Sequence, residues 1–139
     1  MGTFTSCSSK NNEVRFNDGK CDHNGRLLIG TMALDESSNQ GTLYSYEKGG
    51  SLRPLIENVS ISNGIGWNSD GSTMYYIDSP TKNIRAYDYD LETGNLSNER
   101  TIVRLSGSGG SGQYGAPFSA SSTGRYAFTM YWRRTAKRH

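Results

Sequence analysis

The chain has 139 residues, which leaves room for one domain of ordinary size. Its formal net charge is only +2, so the charge balance favours neither a nucleic-acid nor a membrane-surface partner. No apolar run approaches the length that crosses a bilayer, and residues 1–6 lack the basic and apolar regions of a secretory signal. We therefore expect a cytoplasmic protein that binds neither membranes nor nucleic acids.

The composition favours an all-β, turn-rich protein. Seventeen Gly, nine Tyr and only three Pro suit twisted sheets that are joined by tight turns. The hydrophobic fraction of 33% and the mean hydropathy of −0.70 leave a thin core for this length. Cys7 and Cys21 are the only cysteines, too few for a disulfide framework or a zinc site, and we expect both to be reduced.

A turn followed by a β-rich run recurs along the chain. Residues 22–30 place Gly25 before an apolar run, and residues 68–77 repeat this arrangement about 46 residues later around Gly71. Residues 121–130 look like a third copy after about 53 more. A period of about 45 residues is typical of stacked blades, in which each repeat is one small sheet.

The repeat predicts a set of antiparallel strands, and no stretch longer than a turn has a sustained helical period. The predicted strands are 26–33, 42–47, 73–78, 84–89 and 101–105, with a hairpin turn at 91–96. Residues 106–112 break the pattern, because Ser-Gly-Ser-Gly-Gly-Ser-Gly has the composition of a flexible linker. They also satisfy G-x-G-x-x-G, but the following Gln113–Pro117 cannot open the helix that a dinucleotide site needs.

The stretch Arg15–Lys20, Arg-Phe-Asn-Asp-Gly-Lys, carries the most chemistry. An extended backbone projects Arg15 and Asn17 to the same side, where they form a hydrogen-bonding edge suited to a hydroxyl-rich small molecule. Asp18-Gly19 is a preferred tight-turn pair, so we expect a turn there. Without further context, Arg15 could equally pair with a surface carboxylate while residues 17–19 only turn the chain.

The order of the motifs indicates a family. From about Arg15 to about Leu105 the chain resembles the senescence-marker-protein/gluconolactonase/luciferin-regenerating-enzyme family. The resemblance continues through Gly-Thr-Leu-Tyr, Ile-Ser-Asn-Gly-Ile-Gly-Trp, Tyr-Tyr-Ile-Asp-Ser and Ala-Tyr-Asp-Tyr-Asp, which begin at residues 41, 61, 75 and 86. It implies a six-bladed β-propeller that hydrolyses sugar lactones with a divalent metal at its central channel. Since a blade takes roughly 40–50 residues, this chain would hold two to three blades.

The resemblance also implies site residues. Arg15 and Asn17 match positions that hold substrate hydroxyls, and Asp35 falls where the family carries a substrate-contacting acid, with Glu36 as its substitute. Asn63 matches a metal ligand, because a carboxamide oxygen suits calcium or magnesium when carboxylates supply the charge. Each residue has a plainer interpretation as well: Asn63 as a turn residue, and the two acids as solvated loop side chains.

Two further carboxylates would complete the metal site of the family. One belongs to sequence that this chain does not contain, and the other position holds Ala116, which can neither ligate a metal nor act as a base. The resemblance therefore implies a metal-dependent sugar-lactone hydrolase in an incomplete copy, with calcium or zinc as cofactor and magnesium or manganese as alternatives. The rival hypothesis is a non-catalytic propeller-derived module that has lost the metal site.

These features divide the chain into four segments. Residues 1–14 are an unmatched extension, 15–105 the propeller segment, 106–112 the linker, and 113–139 a diverged blade-like segment with a basic tail. The expected small-molecule partner is a sugar lactone. Because an isolated run of blades leaves outer faces unpaired, we also expect self-association through open blade edges.

Overall fold

The computed structural model describes residues 13–105 completely and, beyond them, only the backbone of four short strands. Eight strands form two four-stranded antiparallel sheets, and the strands of each sheet lie in chain order. We call the first sheet blade 1 and the second blade 2. Blade 1 contains β1 (Val14–Cys21), β2 (Leu27–Ala33), β3 (Gly41–Tyr46) and β4 (Leu52–Val59). Blade 2 contains β5 (Ser62–Trp67), β6 (Thr73–Asp78), β7 (Asn83–Tyr89) and β8 (Leu96–Arg104).

The four short strands pair in two antiparallel ladders. They are β9 (Tyr114–Gly115) with β12 (Tyr131–Trp132), and β10 (Phe118–Ala120) with β11 (Tyr126–Phe128). Residues 1–12, the linker at 106–112, Ala116 and the basic tail lie outside the described residues, so what was predicted for them stays a prediction. In the part of the chain that is described, no helix has the length and apolar character to cross a membrane.

The repeat around Gly25 and Gly71 is a turn that joins the first two strands of each blade. The Gly25 amide donates to the carbonyl of Asp22 and the Gly71 amide to that of Asn68, both at 3.1 Å. The φ angles of these glycines are +80° and +75°, a left-handed conformation in which a side chain would be strained. The sequence repeat thus corresponds to one turn geometry that occurs in both blades.

The core lies between the two blades. Residues of β3 and of β6 alternate between buried and half-buried positions, so one face of each sheet packs toward the other. A fully buried apolar side chain stabilises the fold by about 1.5–3 kcal/mol, which makes this shared layer the main stabilising element. The buried apolar cluster contains Leu28, Leu43, Val59, Ile65, Trp67, Met74, Tyr76, Tyr87 and Tyr89.

A close approach between the blades depends on the absence of a side chain at Gly30. A Cβ atom built on this residue of β2 would overlap the Cβ and Oγ atoms of Ser62 in β5. Protein interiors are packed too tightly to absorb such an overlap without movement of the backbone. Gly30 therefore sets how near β2 of blade 1 can come to β5 of blade 2.

A buried ion pair joins the blades at the turn end. Arg26 Nη1 lies 2.8 Å from Asp22 Oδ2, and the Asp22 side chain is completely buried. The Tyr89 hydroxyl in β7 donates to the same carboxylate oxygen at 2.7 Å. Arg26 also donates to the carbonyls of Leu91 at 3.3 Å and Glu92 at 2.7 Å. One guanidinium thus connects the turn of blade 1 to the β7–β8 connection of blade 2.

A second arginine bridges the blades at the same end. Arg53 Nη1 donates to Asn95 Oδ1 and its Nη2 donates to the carbonyl of Thr93, both at 2.9 Å. Its Nε donates to Glu47 Oε1 at 2.9 Å within blade 1. The loop between β7 and β8 is therefore held by side chains from two different segments of blade 1.

The all-β fold predicted from the sequence is confirmed, and four predicted strands correspond to β2, β3, β6 and β7 within one residue at each end. The strand predicted at 101–105 is the end of β8, which begins at Leu96. Strands β1, β4 and β5 were not among the predicted strands. Strand β4 contains Pro54, which a sheet accepts at its edge, and β4 is one of the two edge strands of blade 1.

The turn predicted at Asp18-Gly19 is wrong. Both residues lie inside β1, where Asp18 pairs with Gly30 and Gly19 with Ile29 of β2. The Asp-Gly pair does not form a turn here, because β2 supplies backbone hydrogen bonds along β1 that stabilise the extended conformation. The reversal of the chain occurs after β1 instead, in the turn that contains Gly25.

We predict that the ion pair and hydrogen bonds of Arg26 make the largest single polar contribution to the stability of the described fold. The Arg26→Ala variant should lower the free energy of unfolding by about 3 kcal/mol, since it leaves the buried Asp22 carboxylate without its cationic partner. Arg100→Ala is the matched control, because its pair with Asp88 is exposed and should contribute less than about 1 kcal/mol. Urea unfolding followed by circular dichroism measures both, and equal losses would contradict the assignment.

Candidate functional site

The first strands of the two blades, β1 and β5, lie against each other and carry matching irregularities. In β1 the pairing with β2 shifts between Phe16 and Asp18, so Asn17 forms a β-bulge. In β5 the pairing with β6 shifts between Asn63 and Ile65. Bulges re-aim side chains and are common beside functional sites. Counted from the two turn glycines, Asn17 and Asn63 occupy equivalent positions 46 residues apart.

Arg15 and Asn17 contact each other, as their spacing predicted. Arg15 Nη1 donates to Asn17 Oδ1 at 2.9 Å and to the carbonyl of Phe16 at 3.2 Å. Asn17 Nδ2 in turn donates to the carbonyl of Ser62 at 2.8 Å, across the boundary between the blades. The exposed guanidinium is therefore held beside the strand that carries Asn63. Whether the pair binds a substrate stays a prediction.

The Asn63 carboxamide is oriented by the end of β6. Its Nδ2 donates to Ser79 Oγ at 3.1 Å. The buried Asp78 carboxylate accepts hydrogen bonds from the backbone amides of Ser60 at 3.0 Å and Ile61 at 2.9 Å. The segment that leads from blade 1 into β5 is thereby fixed immediately before Asn63.

Asp18 is a site feature that the sequence did not reveal, because its partner lies on the other blade. Burial raises the pKa of its carboxyl, and hydrogen bonds from the backbone amides of Gly19 and Gly64 partly offset that rise. The amide of Gly19 lies 2.9 Å from Asp18 Oδ1. A partly buried carboxylate therefore stands between the two bulges, adjacent in sequence to both Asn17 and the turn-prone Gly19.

Asp35 and Glu36 lie in an exposed turn after β2. Asp35 Oδ1 accepts from the amide of Ser37 at 3.0 Å, and hydrogen bonds from the Ser37 hydroxyl and amide lower the pKa of the Asp35 carboxyl. Glu36 has a φ of +60°, and its amide donates to the carbonyl of Ala33. The Asp35 carboxylate is thus engaged within its own turn, and the substrate role of both acids stays a prediction.

The described segment offers an oxygen ligand of the kind that a divalent cation accepts, but it offers too few such ligands for a complete site. Asn63 offers a neutral carboxamide oxygen of the type that calcium and magnesium accept. Within residues 13–105, no three His, Cys, Asp or Glu side chains come together as a metal site. Asn63 therefore fits as one ligand of a larger set and cannot hold a cation by itself.

We predict opposite pH dependences for two aspartates. The folded pKa of Asp18 is raised, so its ionisation costs stability as the pH rises above the unfolded value of 3.8. Asp18→Asn should therefore be more stable than the wild type at neutral pH, and the difference should vanish toward about pH 3. Asp35→Asn should be slightly less stable at neutral pH, because the Asp35 pKa is lowered. Urea midpoints across the pH range test both, and a shared sign would refute the assignment.

Comparison with known proteins places this geometry in context. The sequence pattern described as the SMP-30/gluconolactonase/LRE-like region matches residues 2–117. Human regucalcin is 44% identical over 101 residues, which is 69% of this chain and 33% of regucalcin. A Bacillus subtilis protein named as a candidate sugar lactone lactonase is 42% identical over 97 residues, 70% of this chain and 33% of its own length. The chain thus spans about a third of the length of these relatives.

Solved structures agree with the sequence matches. A luciferin-regenerating enzyme is similar with a TM-score of 0.63 and 38% identity, over 66% of this chain and 31% of that protein. A calcium-binding regucalcin from Agrobacterium tumefaciens has a TM-score of 0.67 over 85% of this chain and 45% of its own. At 24% identity the second comparison shows the fold alone. The two blades match part of a regucalcin-like propeller, and the chain belongs to the SMP-30/gluconolactonase/LRE-like family.

Proposed function

We propose that this chain supplies the substrate-binding strands of a metal-dependent sugar-lactone hydrolase. The observation that carries the proposal is the link from Arg15 through the Asn17 carboxamide to Ser62, which directly precedes Asn63. The link holds Arg15 and Asn17, which would bind hydroxyls, beside the strand of Asn63, which would ligate the cation. Family membership and the candidate lactonase among the relatives support a sugar lactone as the substrate class.

Arg15 and Asn17 would orient the sugar ring. A guanidinium has five N–H donors and the carboxamide has both a donor and an acceptor, so the pair can contact neighbouring hydroxyls of one ring. Both side chains are already held by hydrogen bonds, which reduces the entropy that is lost when a ligand binds. Orientation of the ester relative to an attacking water lowers the barrier by bringing the reacting atoms together.

The cofactor would be calcium or zinc, with magnesium or manganese as alternatives. Asn63 would hold it through Oδ1 as one ligand of several. When bound, such a cation polarises an ester carbonyl and activates water. The family to which the chain belongs includes a regucalcin described as calcium-binding, and this supports calcium first. The remaining ligands have no candidate set in the described segment, because no three His, Cys, Asp or Glu side chains come together there.

A non-catalytic module is the second candidate function. It is favoured by the lack, among residues 13–105, of three His, Cys, Asp or Glu side chains that come together as a metal site. Such a module would keep the blade scaffold and bind its partners without turnover. A lactonase assay separates the two candidates.

We predict little or no gluconolactonase activity for residues 1–139 alone, because Ala116 stands where the resemblance implies the base and Asn63 is only one ligand of the metal site. The assay uses gluconolactone with added calcium, zinc or manganese, and a gluconolactonase preparation as the positive control. Metal-dependent turnover that is lost in Arg15→Ala and kept in Arg100→Ala would place a working site in this chain and contradict the prediction.

We also predict that the isolated chain binds calcium no tighter than about 1 mM, since one neutral amide provides no charge. Calorimetric titration with calcium chloride measures the affinity. Asn63→Ala should abolish this weak binding, and Asn68→Ala, which removes a turn asparagine of blade 2, should not. Micromolar binding that depends on Asn63 would reveal further ligands in the chain.

A further inference from the structure

The Asn63 carboxamide donates a hydrogen bond to a side chain that directly follows β6. Ser79 begins a 3₁₀ turn, Ser79–Thr81, and its Oγ accepts the hydrogen bond from Asn63 Nδ2. We propose that Ser79 is a positioning residue that fixes the Asn63 carboxamide so that Oδ1 can ligate the cation. The inference rests on the proposed function, in which Asn63 is a metal ligand.

A carboxamide needs such a partner because its two ends are nearly equal in size and opposite in chemistry. Only the oxygen can ligate a cation, whereas the nitrogen carries two donors. A rotation that exchanges the two ends changes little in packing, so hydrogen bonds decide which end is available to a cation. With Nδ2 bonded to Ser79 Oγ at 3.1 Å, Oδ1 points away from Ser79.

Ser79 is itself fixed in place. It is buried, and its backbone amide donates to the carbonyl of Ile61 at 3.1 Å. The preceding Asp78 holds the amides of Ser60 and Ile61 through its two carboxylate oxygens. Three hydrogen bonds therefore join the end of β6 to the segment before β5. A residue can orient a ligand only if its own position is rigid, and this condition is met here.

The Asn17 side chain reaches the same region, but its hydrogen bond does not involve Ser79. Asn17 Nδ2 donates to the carbonyl of Ser62, and the Tyr76 hydroxyl donates to Ser62 Oγ at 2.8 Å. The two equivalent asparagines of the blades are thus held by different partners. A change at Ser79 should affect the carboxamide of Asn63 and leave that of Asn17 in place.

The test uses the ¹⁵N-labelled full chain and follows the side-chain amides by NMR, with Mn²⁺ as a paramagnetic probe. Ser79→Ala removes the hydroxyl and keeps the backbone amide, whereas Ser79→Thr keeps both. Ser72→Ala is the matched control, because Ser72 Oγ accepts from Asn68 Nδ2 at the same 3.1 Å in a turn of blade 2. Backbone amide spectra report whether each variant is folded.

We expect Mn²⁺ to broaden the Asn63 amide of the wild type selectively. In Ser79→Ala the NMR signal of the Asn63 amide should change position even before metal is added. The Mn²⁺ concentration that broadens this signal as much as in the wild type should rise by about tenfold or more. Ser79→Thr should restore the wild-type behaviour. Ser72→Ala should shift Asn68 and leave the response of Asn63 to Mn²⁺ unchanged, because its effect on the fold is local.

Two results would contradict the inference without contradicting the proposed function. In the first, the chemical shift of the Asn63 amide does not change in Ser79→Ala. In the second, the chemical shift changes but the Mn²⁺ response stays equal to that of the wild type. If the wild type shows no Mn²⁺ effect at Asn63, the metal role of Asn63 fails as well. Should Ser79→Ala not fold, the wild type still decides, because a missing Overhauser contact between the Asn63 amide and the Ser79 Cβ protons contradicts the inference.

Discussion

The relation between the two blades depends on the buried pair of Asp22 and Arg26. Apolar packing between sheets is strong but has no direction, so it tolerates rotation and sliding of one sheet over the other. The pair adds direction, because its hydrogen bonds reach Tyr89 and the carbonyls of Leu91 and Glu92 in fixed positions. A completely buried carboxylate would be costly if the blades separated or shifted, which makes the observed arrangement the one that satisfies it.

That constraint at the turn end has an effect at the other end of the same strands. Strand β1 leads directly from the Asn17 bulge to the turn that contains Asp22, so anchoring the turn also fixes where Asn17 meets Ser62. Gly30 contributes by allowing β5 to approach β2, the strand that pairs with β1. The polar residues between β1 and β5 are therefore positioned by the packing of whole blades, and the site is a product of the interface between two sheets.

Much of the fold could be predicted from the sequence because its signals are local. The turns around Gly25 and Gly71 predicted a repeat, and the repeat predicted four strands closely. The turn at Asp18-Gly19 was wrong because a residue pair carries no information about the partner strand. The resemblance supplied Arg15, Asn17 and Asn63, and the contact of the first two followed from their spacing. The roles of Asp18 and Ser79 could not be predicted, since each depends on a residue 16 or more positions away that only the folded sheets bring near.

The bulge at Asn17 shifts the alternation by which the side chains of β1 point to the two faces of the sheet. Arg15 lies opposite Met32 and Asp18 lies opposite Gly30, two residues of β2 that point to the same face. Residues 15 and 18 differ by an odd number, so an uninterrupted strand would send them to opposite faces. The extra residue cancels that difference and brings a cation and a carboxylate to one side. Loss of a single residue here would keep every strand and every turn, yet it would turn the guanidinium away from blade 2. For this family segment, an alignment gap of one residue in β1 is therefore a sharper sign of altered function than many substitutions.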